Sequence, residues 1–151
     1  MTDPNHPSPN PLGGDAPTED RVGLAANAMA AAMAAAVAAL SVVNYTTTRL
    51  AASSGITSRA NITDGLAVNV FIYGTATSVL LAGGVAWALM GPVDSHYRRG
   101  GLAMVSAFGG FLLSGLTVPV RGLLGEPALL GLAASAVFIA AFFARRARAA
   151  A

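Results

Sequence analysis

Asp94, Ser95 and His96 stand side by side, and carboxylate, hydroxyl and imidazole are the groups of a hydrolase triad. Adjacent positions on one tight turn cannot line up nucleophile, base and orienting acid, so the segment reads as a turn that caps the helix after it. A metal at Asp94 and His96 lacks further ligands. A bis-histidine haem site fails as well, since the only other histidine, His6, lies near the N-terminus. The chain has no cysteine, which excludes disulfides, thiolate-bound zinc, iron–sulfur clusters and thiol chemistry. Its glycines form no G-x-G-x-x-G, and a phosphate-binding P-loop needs a lysine that the chain lacks. The expectation is therefore no metal, no cofactor and no enzyme. Nor is there a basic stripe with interleaved aromatics, so nucleic acid is not an expected partner.

What remains is polar but uncharged. Asn69, Tyr73 and Thr77 recur at spacing four and share one helix face. Ser41 and Asn44 close one apolar segment, and Ser114 and Thr117 close another, with Arg121 just beyond. One reading makes Asn44, Asn69, Tyr73, Ser114, Thr117 and Arg121 the lining of a pocket for a small polar ligand, a lipid headgroup or a quinone head. The competing reading is mutual hydrogen bonding between helices, worth about 0.6 kcal/mol per contact in a membrane protein. The tripeptides Asn44-Tyr45-Thr46 and Asn61-Ile62-Thr63 match the glycosylation sequon and are read as coincidence.

The elements that must position these residues follow from where charge is missing. No residue is charged between Arg21 and Arg49, Asp64 and Asp94, Arg99 and Arg121, or Glu126 and Arg145. Each gap is about 18 to 29 residues, and a helix needs about 20 to cross a bilayer. Charged residues make up 11% of the chain and apolar ones 54%, with a mean hydropathy of +0.60. A soluble domain carries about 25% charged residues. A water-soluble alanine-rich bundle would also need a charged face on every helix, and these segments have none.

The expected fold is all-α, an integral-membrane four-helix antiparallel bundle over 21–146, with spans at about 22–45, 66–90, 100–118 and 127–144. Residues 1–20 hold five prolines, two glycines and four acids and read as a disordered acidic tail. Residues 147–151 form a short C-terminal tail. Pro119 is expected to end the third span, and Pro127 to open the fourth. The first span is mostly alanine, which is nearly neutral toward lipid, so it suits enclosure by its neighbours. The connection at about Thr46–Gly65 is the longest, polar, and the most exposed surface outside the membrane.

With four spans both termini share a side. That side carries Arg21, Arg98, Arg99, Arg145, Arg146 and Arg148, against Arg49, Arg59 and Arg121 on the other. The excess of arginine places both termini in the cytoplasm. Alanine-, glycine- and arginine-rich composition without lysine fits a prokaryotic source, hence the inner membrane. Trp87 and Tyr97 then fall near the inner interface and Tyr45 near the outer one, as aromatic anchors do.

Helices associate in lipid through close contact at small residues. Gly74, Ser78 and Ala82 repeat at spacing four on the second span, as do Ser106, Gly110 and Ser114 on the third. The pairs Gly83–Gly84 and Gly109–Gly110 lie at similar depth and predict the closest approach of these two spans. No ionisable group lies inside any span, which argues against a proton-coupled pump. In length and helix count the chain is similar to small multidrug exporters, but these need a membrane-embedded carboxylate and the likeness ends at size. The partners expected are the bilayer, other membrane subunits or a second copy. The function expected is that of an accessory, structural or assembly subunit, or a self-associating bundle. The alternative is a passive channel or small-solute facilitator that uses the outer polar cluster.

Overall fold

The computed structural model describes residues 18–53, 66–91, 93 and 95–151, with side chains for 21–50, 53, 74–91, 93 and 95–151. All regular structure among them is helical: α1 (Thr18–Ser53), α2 (Leu66–Leu89), α3 (His96–Ser114), α4 (Thr117–Leu124) and α5 (Pro127–Ala149). Among the residues described with their side chains, three segments are long and apolar enough to cross a membrane: α1 over Arg21–Leu50, α3 with α4 over His96–Leu124, and α5.

The ends of these helices have local causes. Gly91 adopts φ +54°, a left-handed conformation that suits glycine and stops α2. Ser95 is extended, and its hydroxyl accepts the Arg98 N–H at 3.1 Å, so Ser95 caps α3, while Asp94 lies outside the described residues. Gly125, at φ +83°, separates α4 from α5, and Pro127 opens α5.

Pro119 does not end the third helix. The break falls earlier, at Gly115 and Leu116, where N–H groups tighten onto the carbonyls of Leu112 and Leu113 at 3.1 and 3.0 Å. Pro119 then occupies the first turn of α4, where its missing N–H leaves no intrahelical bond unmade. The helices also outrun the expected spans. Residues 18–20 and 147–149, assigned above to tails, are helical, and α1 continues to Ser53. Residues 1–17 and 54–65 lie outside the described residues.

Contacts give the direction of each helix. Leu24 near the start of α1 packs with Met90 after α2 and Ala147 near the end of α5. At the other end, Asn44 of α1 meets Thr117 after α3, and Arg49 faces Glu126 before α5. Therefore α1 and α3 run one way, and α2 and α5 the other. Arg21, Arg98, Arg99, Arg145, Arg146 and Arg148 gather at one end of the bundle, and Arg49 and Arg121 at the opposite end. Arg59 lies outside the described residues.

The core is built of small side chains around α1. Ala28, Ala32 and Ala36 form a spacing-four stripe that packs on Ala82 and Ala86 of α2 and Ala103 of α3. A second face, Val37 and Ala38, packs on Ala136 and Leu132 of α5. Alanine is the strongest helix former and permits close approach of backbones in lipid. Of the large side chains Leu24, Leu40, Met90 and Leu129 are buried, whereas Leu80, Met104, Phe108, Phe111, Phe138 and Phe142 are all exposed.

One glycine of each pair, Gly83 and Gly110, lies at the contact of α2 with α3, and the other does not. A Cβ on Gly110 would meet Ala36 of α1 at 2.8 Å and Ala82 of α2 at 3.4 Å, and one on Gly109 would meet Met33 of α1. Gly83 lies in ordinary contact with Ala103 and Ala107, while Gly84 has nothing within 4 Å. Neighbouring residues on a helix point about 100° apart, so the two members of a pair cannot face the same neighbour. Gly110 thus marks a three-helix junction of α1, α2 and α3.

Candidate functional site

The polar cluster takes shape where α1, α3 and α4 converge. Asn44 reaches this end on α1, and the break at Gly115–Leu116 turns Thr117 toward it. The Asn44 Nδ2 group donates to Thr117 Oγ1 at 2.9 Å, and the Thr117 hydroxyl donates to the Ser114 carbonyl at 2.8 Å. The Ser114 hydroxyl in turn donates to the Gly110 carbonyl at 2.7 Å, back along α3. Ser114 and Thr117 are buried and Asn44 is half-buried. Of the six expected ligand residues, Asn44, Ser114 and Thr117 therefore form one hydrogen-bonded chain. Arg121 is exposed on α4 and stands apart from that chain. Asn69 and Tyr73 belong to α2, and their side chains lie outside the described residues.

The hydroxyls elsewhere in the bundle turn onto their own helices. Ser41 donates to the Val37 carbonyl at 2.7 Å, Ser78 to Gly74 at 2.8 Å, and Ser106 to Leu102 at 2.8 Å. A hydroxyl that bonds the carbonyl one turn back needs no partner from another helix, which suits a medium without water. The packing residues occupy these same surfaces. Gly74 leaves room for Val43 of α1, Ser78 and Ala82 are buried, and Ser106 is buried next to Ala103.

Thr75 is the exception. Its Oγ1 is buried and has no hydrogen-bond partner. It lines a groove of about 790 Å³ between α2 and α3, whose walls include Trp87, Phe108 and Phe111 and whose floor includes Gly83. No spacing-four rule singles out Thr75, because Phe71 and Val79, four residues to either side, are apolar.

The two bundle ends differ in charge chemistry. At the arginine-rich end Arg99 donates through Nε and Nη2 to the Trp87 carbonyl, at 2.9 and 2.5 Å, and its guanidinium lies 4.5 Å from the Trp87 ring centroid. That carbonyl belongs to the last turn of α2, where the helix offers it no N–H, so Arg99 acts as a cap from across the hairpin. His96 stacks on the same indole at 6.3 Å, and Tyr97 is 93% exposed. At the other end, Arg49 and Glu126 stand 3.9 Å apart in an exposed pair, and Arg49 lies over Tyr45. An exposed pair at that separation contributes little, between about 0 and 1 kcal/mol. Sequence reasoning placed Trp87 at an interface but missed Arg99, since a bond between a side chain and a carbonyl across a hairpin leaves no periodic signature.

No group of three or more acidic, histidine or cysteine side chains with metal-binding geometry occurs among the described residues. Comparison of the chain with protein-family models, with curated proteins and with solved structures yields no match.

Proposed function

We propose that this chain is a multi-pass protein of a prokaryotic inner membrane, with four spans and both termini in the cytoplasm, and that its role is structural. It acts as an accessory or assembly subunit, or as a bundle that associates with itself. The observation that carries this reading is the inverted distribution of side-chain size. Alanine and serine make up most of the interior, which also holds Leu24, Leu40, Met90 and Leu129, while Phe108, Phe111, Phe138, Phe142 and many leucines cover the outside. In water such a surface would aggregate; in hydrocarbon it meets its own kind. The fourth span is α2, whose segment from Leu66 to Leu89 carries no charged residue. The concentration of arginine at one end supports the orientation.

The polar groups in the bundle support a structural rather than a transport role. Asn44 and Thr117 satisfy one another, and Ser41, Ser78, Ser106 and Ser114 satisfy their own helices. Groups paired in this way hold helices in register, and Thr75 is the one described buried hydroxyl left without a partner. The passive-facilitator reading would need the same side chains turned toward a shared pocket.

Purification in mild detergent tests the proposal. A stoichiometric membrane partner, or a defined homo-oligomer that leaves liposomes impermeable to small solutes, is the expected result. A lone oligomer that conducts a solute, lost on Asn44→Leu, would replace it with the facilitator. Reporter fusions test the orientation: a periplasmic C-terminus overturns it.

A further inference from the structure

Two residues join α3 to α4, and they are wound more tightly than either helix. Gly115 (φ −57°, ψ −22°) and Leu116 (φ −62°, ψ −20°) have the dihedral angles of a 3₁₀ turn. The bonds agree. The N–H groups of Gly115, Leu116 and Val118 reach the carbonyls of Leu112, Leu113 and Gly115, each three residues back, at 3.1, 3.0 and 3.2 Å. Bonding four residues back resumes with Val120 and Leu116. Among the described residues, no backbone bond therefore runs from a residue of α3 to a residue of α4. The direct link is the Thr117 hydroxyl, which donates to the Ser114 carbonyl, a group that the Val118 N–H would serve in an unbroken helix.

Pro119 keeps the two helices from merging. In one continuous helix it would stand four residues after Gly115, with no N–H for that carbonyl and a ring that collides with it. At the other end of α4, Gly125 adopts φ +83° and ψ 175°, a region in practice reserved for glycine. The helix thus lies between two joints, and its grip on the bundle is narrow. Thr117 is its one buried residue, Val118, Leu123 and Leu124 are exposed, and no α4 residue belongs to either buried core cluster. Thr117 is held in turn by Asn44 of α1. The pair Arg49–Glu126 is exposed and lies beyond Gly125, so it does not fasten α4 itself.

We propose that α4 is a hinged flap, turning about Gly115–Leu116 and Gly125, with Thr117 as its latch. A 3₁₀ stretch within a helical run is a common hinge, and hinge motion is absorbed by a few residues at the ends of elements. Two bonds close the latch, Asn44 to Thr117 and Thr117 to the Ser114 carbonyl. Opening leaves α1, α2, α3 and α5 packed as they are, because α4 contributes nothing to their core. It uncovers the Asn44 carboxamide and the Ser114 carbonyl, a donor and an acceptor that Thr117 covers when the flap is shut.

Hydrogen exchange of the full chain in mild detergent, read by mass spectrometry, tests the flap, since exchange follows the population of the opened state. In Asn44→Leu the amides of 117–124 should exchange about threefold faster, the population equivalent of one interhelical hydrogen bond in a membrane protein. Thr117→Val loses both bonds and should give about eightfold. Neither should alter exchange in 28–38 of α1 or 129–144 of α5. Thr46→Val, which removes a hydroxyl bonded to the Val42 carbonyl of its own helix, should leave α4 unchanged. Pro119→Ala supplies the missing donor and should slow exchange across 116–120 as α3 and α4 anneal; a misfolded variant cannot mimic that gain of protection. Equal acceleration of every helix in the first two variants would mean general loosening and would overturn the flap. Unchanged exchange in α4 in those variants, or no slowing in Pro119→Ala, would overturn it as well.

Discussion

α1 and α5 are both free of charge through their middles and both long enough to span a bilayer, yet they occupy opposite situations. Half of the apolar window of α1 is buried, against 17% of that of α5. α1 touches α2, α3, α4 and α5, whereas α5 rests chiefly on α1. Their compositions explain this. α1 is a run of alanines with few large side chains, so other backbones can approach it from several sides. α5 presents Ala133 and Ala136 to the bundle and turns Val137, Phe138, Ile139 and Phe142 outward. In water, the helix richer in phenylalanine and isoleucine would be the buried one, because apolar area drives burial. The reverse is observed, and it is the arrangement that the proposed membrane setting favours, since in lipid that drive vanishes between helices and closeness of contact decides.

The contrast can be broken first at its outer face. Phe138→Arg places a charge near the middle of α5, at a cost of about 2.5–3.5 kcal/mol for insertion. Membrane integration assayed with a reporter fusion should fall sharply. An unchanged yield of integrated protein would mean that this face does not meet lipid. Gly110→Leu attacks the inner side, where even a single Cβ would come within 2.8 Å of Ala36. Overpacking of that kind costs about 1–3 kcal/mol, to be read as a lower Tm in detergent.

Gly84→Ala refines the comparison in the opposite direction. No atom lies within 4 Å of its Cβ position, so the substitution should stabilise the protein by up to about 1 kcal/mol through helix propensity. A drop in Tm there would reveal a contact on a face that is open in the isolated bundle. The smallest effect is expected for Asn44→Leu, about 0.6 kcal/mol, because Thr117 still donates to the Ser114 carbonyl after its partner is lost. A loss several times larger would show that the polar chain does more than tie α1 to α4.

Much of the helical layout was readable from charge spacing: three of the four long gaps between charges hold a single helix, and the third along the chain holds α3 and the start of α4. The cap at Ser95 was readable because its mechanism is local. The break before Thr117 was not, because Pro119 drew attention to itself although proline is harmless in a first turn. Nor were the targets of Gly109 and Gly110, since which neighbour a glycine faces depends on how α3 is rotated against two other helices. The cluster residues Asn44, Ser114 and Thr117 were individually conspicuous, but their order as donors and acceptors depends on where α4 turns.

The amino-acid order by itself determined where the long uncharged apolar segments fall and which of their ends carry arginine, because each follows from short-range composition. Only the tertiary structure decided that α1 lies at the centre, that Gly110 sits at a three-helix junction, and that Thr117 ties α4 to α1 and α3. These depend on helix rotation and on which helices neighbour one another, and in lipid both are set by the sum of many weak close contacts rather than by any single residue.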